Sequence, residues 1–247
     1  MSGSTEHFDR LASQYSRLRA SPDYVDPLTE AVVELGDLRG RRVLDVGCGT
    51  GNVLGVLTQA FGVTGVGIDA SPKMIEAARR EALDVAELHV GPAEDLPFAD
   101  ASFDAALMRL VVHLVDRPTV FGETLRVLRP RGRLVITTSD PEAFASYWMA
   151  PYFPSYVELD RVRFPSGKAL RRELAAAGFR SIQVVRFDID RRFSRAEALD
   201  KLHGHAYSSF TLMSAEEYEG GVAAAEASLP EMIEYRLRLL NVVGVRP

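Results

Sequence analysis

The sequence contains a single cysteine, Cys48, among 247 residues. One thiol cannot form an intramolecular disulfide, so the chain suits a reducing compartment. It also lacks any apolar run approaching the roughly 18 residues that indicate a membrane-spanning helix. The first residues are polar and unlike a secretory signal. We therefore predict a cytoplasmic protein that does not enter a membrane.

An excess of positive charge is missing as well. Lys and Arg total 29 against 34 Asp and Glu, which gives a net charge of −5. Proteins that bind mainly a nucleic-acid backbone usually carry a large basic excess, so we expect no nucleic-acid partner. Hydrophobic residues make up 47% and charged residues 26%, as in ordinary globular proteins. The length suits one large α/β domain, and we expect a monomer or a homodimer.

The most informative stretch runs from Val43 to Gly51, where an apolar strand enters a turn with glycines at 47, 49 and 51. An amphipathic helix follows this turn. Glycines allow a tight turn and let a ligand approach main-chain N–H groups, while the helix start adds a positive dipole end. Such a turn is expected to hold a nucleotide or nucleoside.

The spacing of the glycines narrows the choice of ligand. A dinucleotide fingerprint would need a third glycine at Asn52, and a P-loop would need a Gly-Lys-Ser/Thr that is missing. The pattern present is Asp-x-Gly-x-Gly-x-Gly, which begins at Asp45. It resembles the first motif of the class I S-adenosylmethionine (SAM)-dependent methyltransferases. An ordinary strand–turn–helix with unconstrained glycines is the alternative.

Three further segments carry the same resemblance. They are Phe-Asp-x-x-Ala-x-x-Tyr at 8–15, Ala-Glu-Asp-Leu-Pro-Phe at 93–98, and Leu-Arg-Pro-x-Gly-x-Leu at 128–134. The family often has Asp or Asn where this chain has Pro92, so a side-chain acceptor for the adenine amino group is lost. The Ala93 amide could still meet the ring, and Glu94 or Asp95 could replace the lost acceptor.

The resemblance implies SAM as the cofactor and S-adenosylhomocysteine as its product. In the family the N-terminal segment lies over the cofactor, where Tyr15 or Arg19 could meet the methionine carboxylate; both could instead only pack or solvate their helix. The positions expected to contact the cofactor are Tyr15, Arg19, Asp45, Gly47, Cys48, Gly49, Gly51, Asp69, Ala70, Ala93, Glu94 and Arg109.

Asp69 has the most specific role among these positions. It ends the second strand about 20 residues after the glycine turn, where an acidic side chain can accept both ribose hydroxyls. A helix N-cap is the alternative, but Ser71 and Pro72 already supply that chemistry. We therefore predict that Asp69 binds the ribose.

The methyl acceptor should lie beyond the fourth strand, Phe103–Met108, because ligands bind at the carboxyl ends of parallel strands. His113 follows this strand, and histidine is suited to act as a general base because its unperturbed pKa lies near neutrality; a structural or hydrogen-bonding role is the alternative. Tyr207 and His205 are further candidates near the acceptor. His203 and His205 form a His-x-His pair, but no carboxylate or cysteine stands in helical ligand spacing, so we predict no metal site.

An aromatic-rich segment follows the fifth strand. Six aromatic residues fall within 13 positions, namely Phe144, Tyr147, Trp148, Tyr152, Phe153 and Tyr156, against 9% aromatics in the whole chain. Aromatic side chains form apolar ligand pockets, so this segment is interpreted as a lid or wall that faces an organic substrate. A helix packed on the sheet is the alternative interpretation.

The alternation of strands and helices predicts an α/β fold, a Rossmann-like, doubly wound, seven-stranded sheet with mainly helical lid insertions. We expect one domain over residues 1–247. Its expected parts are N-terminal cap helices (1–41), a cofactor-binding core (42–140), an aromatic-rich lid insertion (141–165), a helix and strand six (166–190), a second lid insertion (191–234) and a final strand (235–247).

The predicted function is transfer of a methyl group from SAM to an O, N or C nucleophile of an apolar or aromatic small molecule. One alternative is a nicotinamide-dependent oxidoreductase on a Rossmann-type fold. Another is a SAM-binding module without transferase activity.

Overall fold

A computed structural model of the chain describes residues 2–13, 15, 26–80 and 86–247. Its centre is a seven-stranded sheet in the order β3-β2-β1-β4-β5-β7-β6. Strands β1 to β5 are parallel, and β7 runs antiparallel to both of its neighbours. The strands are β1 (Arg42–Val46), β2 (Thr64–Asp69), β3 (Ala86–Val90), β4 (Phe103–Arg109), β5 (Leu128–Ser139), β6 (Arg180–Ser194) and β7 (Met232–Val245).

Helices begin and end largely where the sequence signals them. Asp26 and Ser166 each accept a backbone amide at a helix start, and Gly178 ends a helix at φ 109°. The α-helices are α1 (Ser2–Leu11), α2 (Pro27–Gly36), α3 (Asn52–Phe61), α4 (Pro72–Arg80), α5 (Arg117–Val127), α6 (Tyr156–Arg163), α7 (Gly167–Ala177), α8 (Arg195–His203) and α9 (Ala215–Ser228). Short 3₁₀ helices span Pro141–Ser146 and Ser208–Leu212.

Both faces of the sheet are covered by helices. On one face Leu44 belongs to a core that includes Phe121 of α5 and Leu174 of α7. On the other face its neighbour Val43 packs with residues of α2 and with Leu57 of α3. Successive strand residues point to opposite faces, so β1 is buried on both. The predicted doubly wound α/β fold is confirmed.

The last two strands are longer than the sequence pattern predicted. β6 continues to Ser194 and β7 already begins at Met232, so the strands take up both ends of the predicted insertion 191–234. Charged side chains on the two strands face each other, as in the pair of Asp190 and Arg236 with 2.8 Å between Oδ1 and Nε. Cross-strand pairing thus extends the hairpin beyond the apolar core.

The two predicted insertions share one hydrophobic core. Five of the six aromatic residues between positions 144 and 156 are buried, namely Phe144, Tyr147, Trp148, Phe153 and Tyr156. They pack with Leu202 of α8, Ala225 of α9 and Ile233 of β7. We call this assembly of residues 141–165 and 195–231 the lid. Most of these aromatic side chains therefore pack against the second insertion, and a role of this segment as a wall that faces the substrate stays a prediction.

No helix within the described ranges is both long and apolar enough to traverse a bilayer.

Adjacent glycines in α9 provide a test of how the lid packs. A Cβ on Gly221 would lie 2.4 Å from Cε1 of Phe153, whereas a Cβ on Gly220 meets nothing within 4 Å. We expect Gly221→Ala to lower the free energy of unfolding by about 1–3 kcal/mol through overpacking. Gly220→Ala should raise it by about 0.5–1 kcal/mol, because alanine is the better helix former. Urea denaturation measures both, and equal changes would contradict the packing of α9 on Phe153.

Candidate functional site

The glycine turn lies at the carboxyl end of β1, between the ends of β2 and β4. Gly47, Gly49 and Gly51 have φ angles of 75°, 56° and 73°, in the left-handed region that glycine adopts without strain. At Gly47 there is also no room for a side chain, since a Cβ would lie 2.5 Å from Cγ2 of Val111. The turn therefore needs the glycines that its motif supplies.

Several amides of this turn are used within the protein. Gly47 and Cys48 both donate to the carbonyl oxygen of Ile68, at 2.8 and 3.1 Å, and Gly51 donates to Cys48 at 2.9 Å. The sequence suggested that such amides would be open to a ligand. They instead join the turn to the end of β2, so the glycines contribute mainly shape.

Asp69 bridges the turn and the start of α4. Its Oδ2 accepts the Gly49 amide and its Oδ1 accepts the Ser71 amide, both at 2.9 Å. Burial raises the pKa of this carboxyl, while the two amides act in the opposite direction. A carboxylate oxygen can accept more than one hydrogen bond, so both retain capacity for ribose hydroxyls. The exposed Ala70 follows directly.

The N-terminal segment lies over this turn. Cε1 of Tyr15 is 3.8 Å from the position of a Cβ on Gly49. Leu11 packs with Met74 of α4 in a small core to which Tyr15 also belongs. Tyr15 thus lies against the glycine turn, while its contact with the cofactor stays a prediction. Arg19 lies outside the described residues.

Two acidic side chains flank Arg109 at the end of β4. Arg109 Nη2 lies 3.7 Å from Asp26 Oδ2, and its Nη1 donates to Thr29 Oγ1 at 3.4 Å. Asp45 is 3% exposed, and burial raises its pKa to about 7, against a lowering by Arg109 and a smaller raising by Asp69. The site thus holds a half-buried cation beside the carboxyls of Asp26 and Asp45, and the charge of the site changes with pH because the Asp45 pKa is raised.

The loop expected to meet adenine is fixed at its acidic residue. Glu94 Oε1 accepts the backbone amide of Asp116, which caps α5, at 3.0 Å. Ala93 packs against the core of the sheet, and Asp95 is exposed. Part of the Glu94 carboxylate is therefore committed to α5. Which residue replaces the acceptor lost at Pro92 stays open between Glu94 and Asp95.

His113 faces the lid. Its ring stacks on Phe164 with 3.8 Å between centroids and 18° between planes. Phe164 in turn meets Phe144 edge to face at 5.1 Å. His113 therefore lies where the end of the core sheet meets the aromatic lid, as a residue near the acceptor should.

Tyr207 and His205 lie in different surroundings. Tyr207 packs against the small core of Leu11 and Met74, below the N-terminal segment. His205 is exposed and stacks on Tyr218 of α9 at 4.4 Å, and partial burial lowers its pKa. Tyr207 is thus close to the segment that covers the turn, whereas His205 lines a surface groove of the lid.

Sequence reasoning missed three partners of the predicted residues: Asp26, Thr29 and Phe164. Asp26 stands before Pro27 as a helix start, but its second contact with Arg109 leaves no signal in the neighbouring sequence.

Within the described part of the chain, no three His, Cys, Asp or Glu side chains converge as metal ligands would.

The comparisons with known proteins agree with this geometry. A family model described as "Methyltransferase domain" matches residues 44–136. The O-methyltransferase rstn1 of Aspergillus nomiae is 37% identical over 63% of this chain and 72% of that protein. This chain belongs to the SAM-dependent methyltransferase family. The O-methyltransferase cnsE of Penicillium expansum is 36% identical over 65% of this chain, but the match spans only 60% of that relative's length.

Solved structures support the methyltransferase fold. A putative methyltransferase from an antibiotic biosynthesis pathway of Anabaena variabilis superposes with a TM-score of 0.70. It covers 87% of this chain and 95% of its own, at 23% sequence identity. At that identity the likeness concerns the fold alone.

The pKa of Asp45 predicts how the stability of this methyltransferase changes with pH. Because the folded state raises this pKa to about 7, folding favours the protonated carboxyl, and stability falls as pH rises through about 7. Relative to Asp45→Asn, the wild type should lose up to about 1.4 kcal/mol per pH unit between the unfolded and folded pKa values. Calorimetry from pH 5 to pH 8 measures the slope. Glu216→Gln, which removes an exposed carboxyl, should keep the wild-type slope; a similar slope in Asp45→Asn would contradict the assignment.

Proposed function

We propose that the protein transfers a methyl group from SAM to a nucleophile of an apolar or aromatic small molecule and releases S-adenosylhomocysteine. The observation that carries this proposal is the hydrogen bond from the Gly49 amide to Asp69. It holds a carboxylate at the end of β2 directly beside a turn in which Gly47, Gly49 and Gly51 carry no side chain. A ribose hydroxyl pair and a carboxylate are complementary, and the family relation favours SAM over other nucleosides.

The residues present fit this cofactor. Asp69 would hold the ribose, and Asp45, Arg109 and Tyr15 surround the region left for the methionine end. When bound, SAM supplies a methyl group already activated by the sulfonium. The task of the chain is then to place a nucleophile in line with that methyl and to exclude water, a contribution of ~7–11 kcal/mol for well-placed reactants.

His113 is the proposed general base. Stacking on Phe164 fixes its ring plane at the boundary with the lid. A base is needed only when the nucleophile carries a proton, as a hydroxyl does. The two fungal relatives named O-methyltransferase favour an oxygen nucleophile.

The alternatives receive less support. Asn52 opens α3 where a nicotinamide-binding turn would place glycine, and the relatives compared are methyltransferases, which disfavours an oxidoreductase. A SAM-binding module without activity would bind SAM yet form no S-adenosylhomocysteine with any acceptor.

A cytoplasmic location is proposed from the single cysteine.

Removal of the Asp69 carboxylate should weaken cofactor binding. Asp69→Ala loses the ribose acceptors and the contact with Gly49, and hydrogen bonds to a charged group contribute about 1.5–3 kcal/mol each. We expect the Kd for SAM to rise at least about 100-fold in isothermal titration calorimetry. Asp100→Ala removes an exposed carboxylate that pairs with Arg126 and should bind SAM like the wild type. Unchanged affinity in Asp69→Ala would refute the ribose role.

The base assignment has a separate test. His113→Ala should slow formation of S-adenosylhomocysteine from hydroxylated aromatic acceptors by about 100-fold and leave the Kd for SAM nearly unchanged. The remaining activity should increase with pH as the acceptor hydroxyl ionises. His203→Ala, which alters an exposed histidine paired with Glu226, serves as the control. Full activity of His113→Ala would assign this residue to the scaffold.

A further inference from the structure

Asn241 is a fully buried amide on β7, between β5 and β6. Its side chain is 0% exposed, and its Oδ1 accepts a hydrogen bond from Thr137 Oγ1 of β5 at 2.7 Å. The Nδ2 atom is buried as well, and none of the described residues accepts a hydrogen bond from it. Buried polar groups in folded proteins are nearly always paired, because an unpaired one is costly. This donor therefore indicates a partner that those residues do not supply.

The pairing of the strands places Asn241 in one row with the proposed cofactor site. Arg109 of β4 is paired with Thr137, and Thr137 is paired with Asn241. Residues directly opposite each other project from the same face of a sheet. Asp69 and Arg109 each stand two residues beyond a direct neighbour of Asp45, so they share that face. The proposed ribose carboxylate, the methionine end and the Asn241 amide thus follow one another across the sheet.

The row indicates which part of the reaction the amide meets. Neighbouring strands lie about 4.8 Å apart, so Asn241 is roughly 10 Å from Arg109 across β5. The cofactor is proposed to end beside Arg109. The molecule that lies next in the row, over β5 and β7, is therefore the methyl acceptor.

Apolar side chains border this end of the row. Phe187 and Ile189 of β6 and Leu237 of β7 project from the same face as Asn241 and are half-buried. The buried Leu239 stands next to the amide on that face of β7. These four side chains suit an apolar body, and they offer no charge that would balance a carboxylate or a phosphate.

The chemistry of the amide selects one kind of ligand atom. An amide N–H donates to an oxygen acceptor. An anionic oxygen would have to leave water for an apolar border, which is costly. A carbonyl oxygen is neutral, and it brings no proton that needs a partner of its own.

We propose that Nδ2 of Asn241 donates a hydrogen bond to a carbonyl oxygen of the methyl acceptor. The acceptor is then an apolar ketone whose nucleophile lies at the methionine end of the cofactor, with the carbonyl up to roughly 10 Å farther along the sheet. Asn241 determines specificity, since it touches the acceptor away from the reacting atoms. This inference rests on the proposed methyl transfer and names its substrate class.

Two naphthols of nearly equal size test the inference on the full chain with S-adenosylhomocysteine bound. The probes are 6-acetyl-2-naphthol and 6-ethyl-2-naphthol, in which a methylene group replaces the carbonyl. We expect the wild type to bind the ketone about 10-fold more tightly in isothermal titration calorimetry. The reason is that only the ketone satisfies the buried amide.

Replacement of both hydrogen-bonded partners removes the amide without leaving a new unpaired group. Thr137→Val/Asn241→Leu should bind the two naphthols equally, and its Tm should equal or exceed that of the wild type, because apolar groups of similar shape replace a buried polar pair. Asn241→Leu alone should lose the same preference but lower Tm, since the Thr137 hydroxyl then lacks its partner. An amide with only a structural role would change Tm and leave the preference for the ketone intact.

Thr138→Val is the matched control. Thr138 is also fully buried in β5, and its Oγ1 finds no hydrogen-bond partner in the part of the chain that the structure describes. As the neighbour of Thr137 in the strand, it projects from the opposite face of the sheet. The substitution should keep the wild-type preference for the ketone. Loss of the preference in this variant would contradict a specific contact with Asn241.

Other results would overturn the inference in distinguishable ways. Equal binding of both naphthols by the wild type would mean that a buried water already satisfies the amide. A preference that survives in the double variant, or no binding of the ketone, would also reject the carbonyl contact. In those cases binding of SAM and methylation of other acceptors would persist. Failure of the wild type to bind SAM in calorimetry would instead reject the proposed function itself.

Discussion

The hydrogen bond between the Gly49 amide and the Asp69 carboxylate fixes the geometry on which the rest of the site depends. The carbonyl oxygen of Ile68, which accepts the amides of Gly47 and Cys48, joins the same two segments. The bond aims the carboxylate across the turn, next to Gly49, which has no side chain. The Tyr15 ring can pack over the turn at this point, since its Cε1 lies 3.8 Å from where a Cβ on Gly49 would be. The N-terminal segment, the glycine turn and the Asp69 carboxylate therefore form one structural unit.

Short-range patterns in the sequence predicted this unit well. Glycine spacing, the apolar strands and an acidic residue at a strand end are each visible within a few residues of sequence, and Asp69 follows the turn at the spacing of about 20 residues that such sites use. The partners of Arg109 and His113 were not predictable, because Asp26 and Phe164 reach them from distant segments.

The full length of β6 and β7 was also missed. Polar residues usually signal the end of a strand, but here Asp190 and Arg236 pair with each other across the hairpin.

The charge of Arg109 is balanced by two carboxyls that are mostly removed from solvent, Asp26 and Asp45. Arg109 lies between Asp26 and Asp45, and only the latter is removed almost completely from solvent. A cationic ligand placed here would favour the ionised form of Asp45, because opposite charges lower the pKa of a carboxyl. Binding of the cation and loss of the Asp45 proton are thus linked. The neutral thioether product lacks the sulfonium charge, so it gains less from this linkage than the substrate form does.

The lid obtains its rigidity from segments that are far apart in the chain. The hydrogen bonds of Ser209 to Asp160 join α6 of the first insertion to the short helix of the second. A buried carboxylate of this kind is strongly destabilising if its partners are lost, so the two insertions must stay together. Phe164, one turn after Asp160, carries that constraint to His113. The aromatic wall proposed to face the acceptor and the residue proposed to activate it are therefore positioned by the same packed helix, so a lid contact far from His113 in the chain can shift the ring on which His113 stacks.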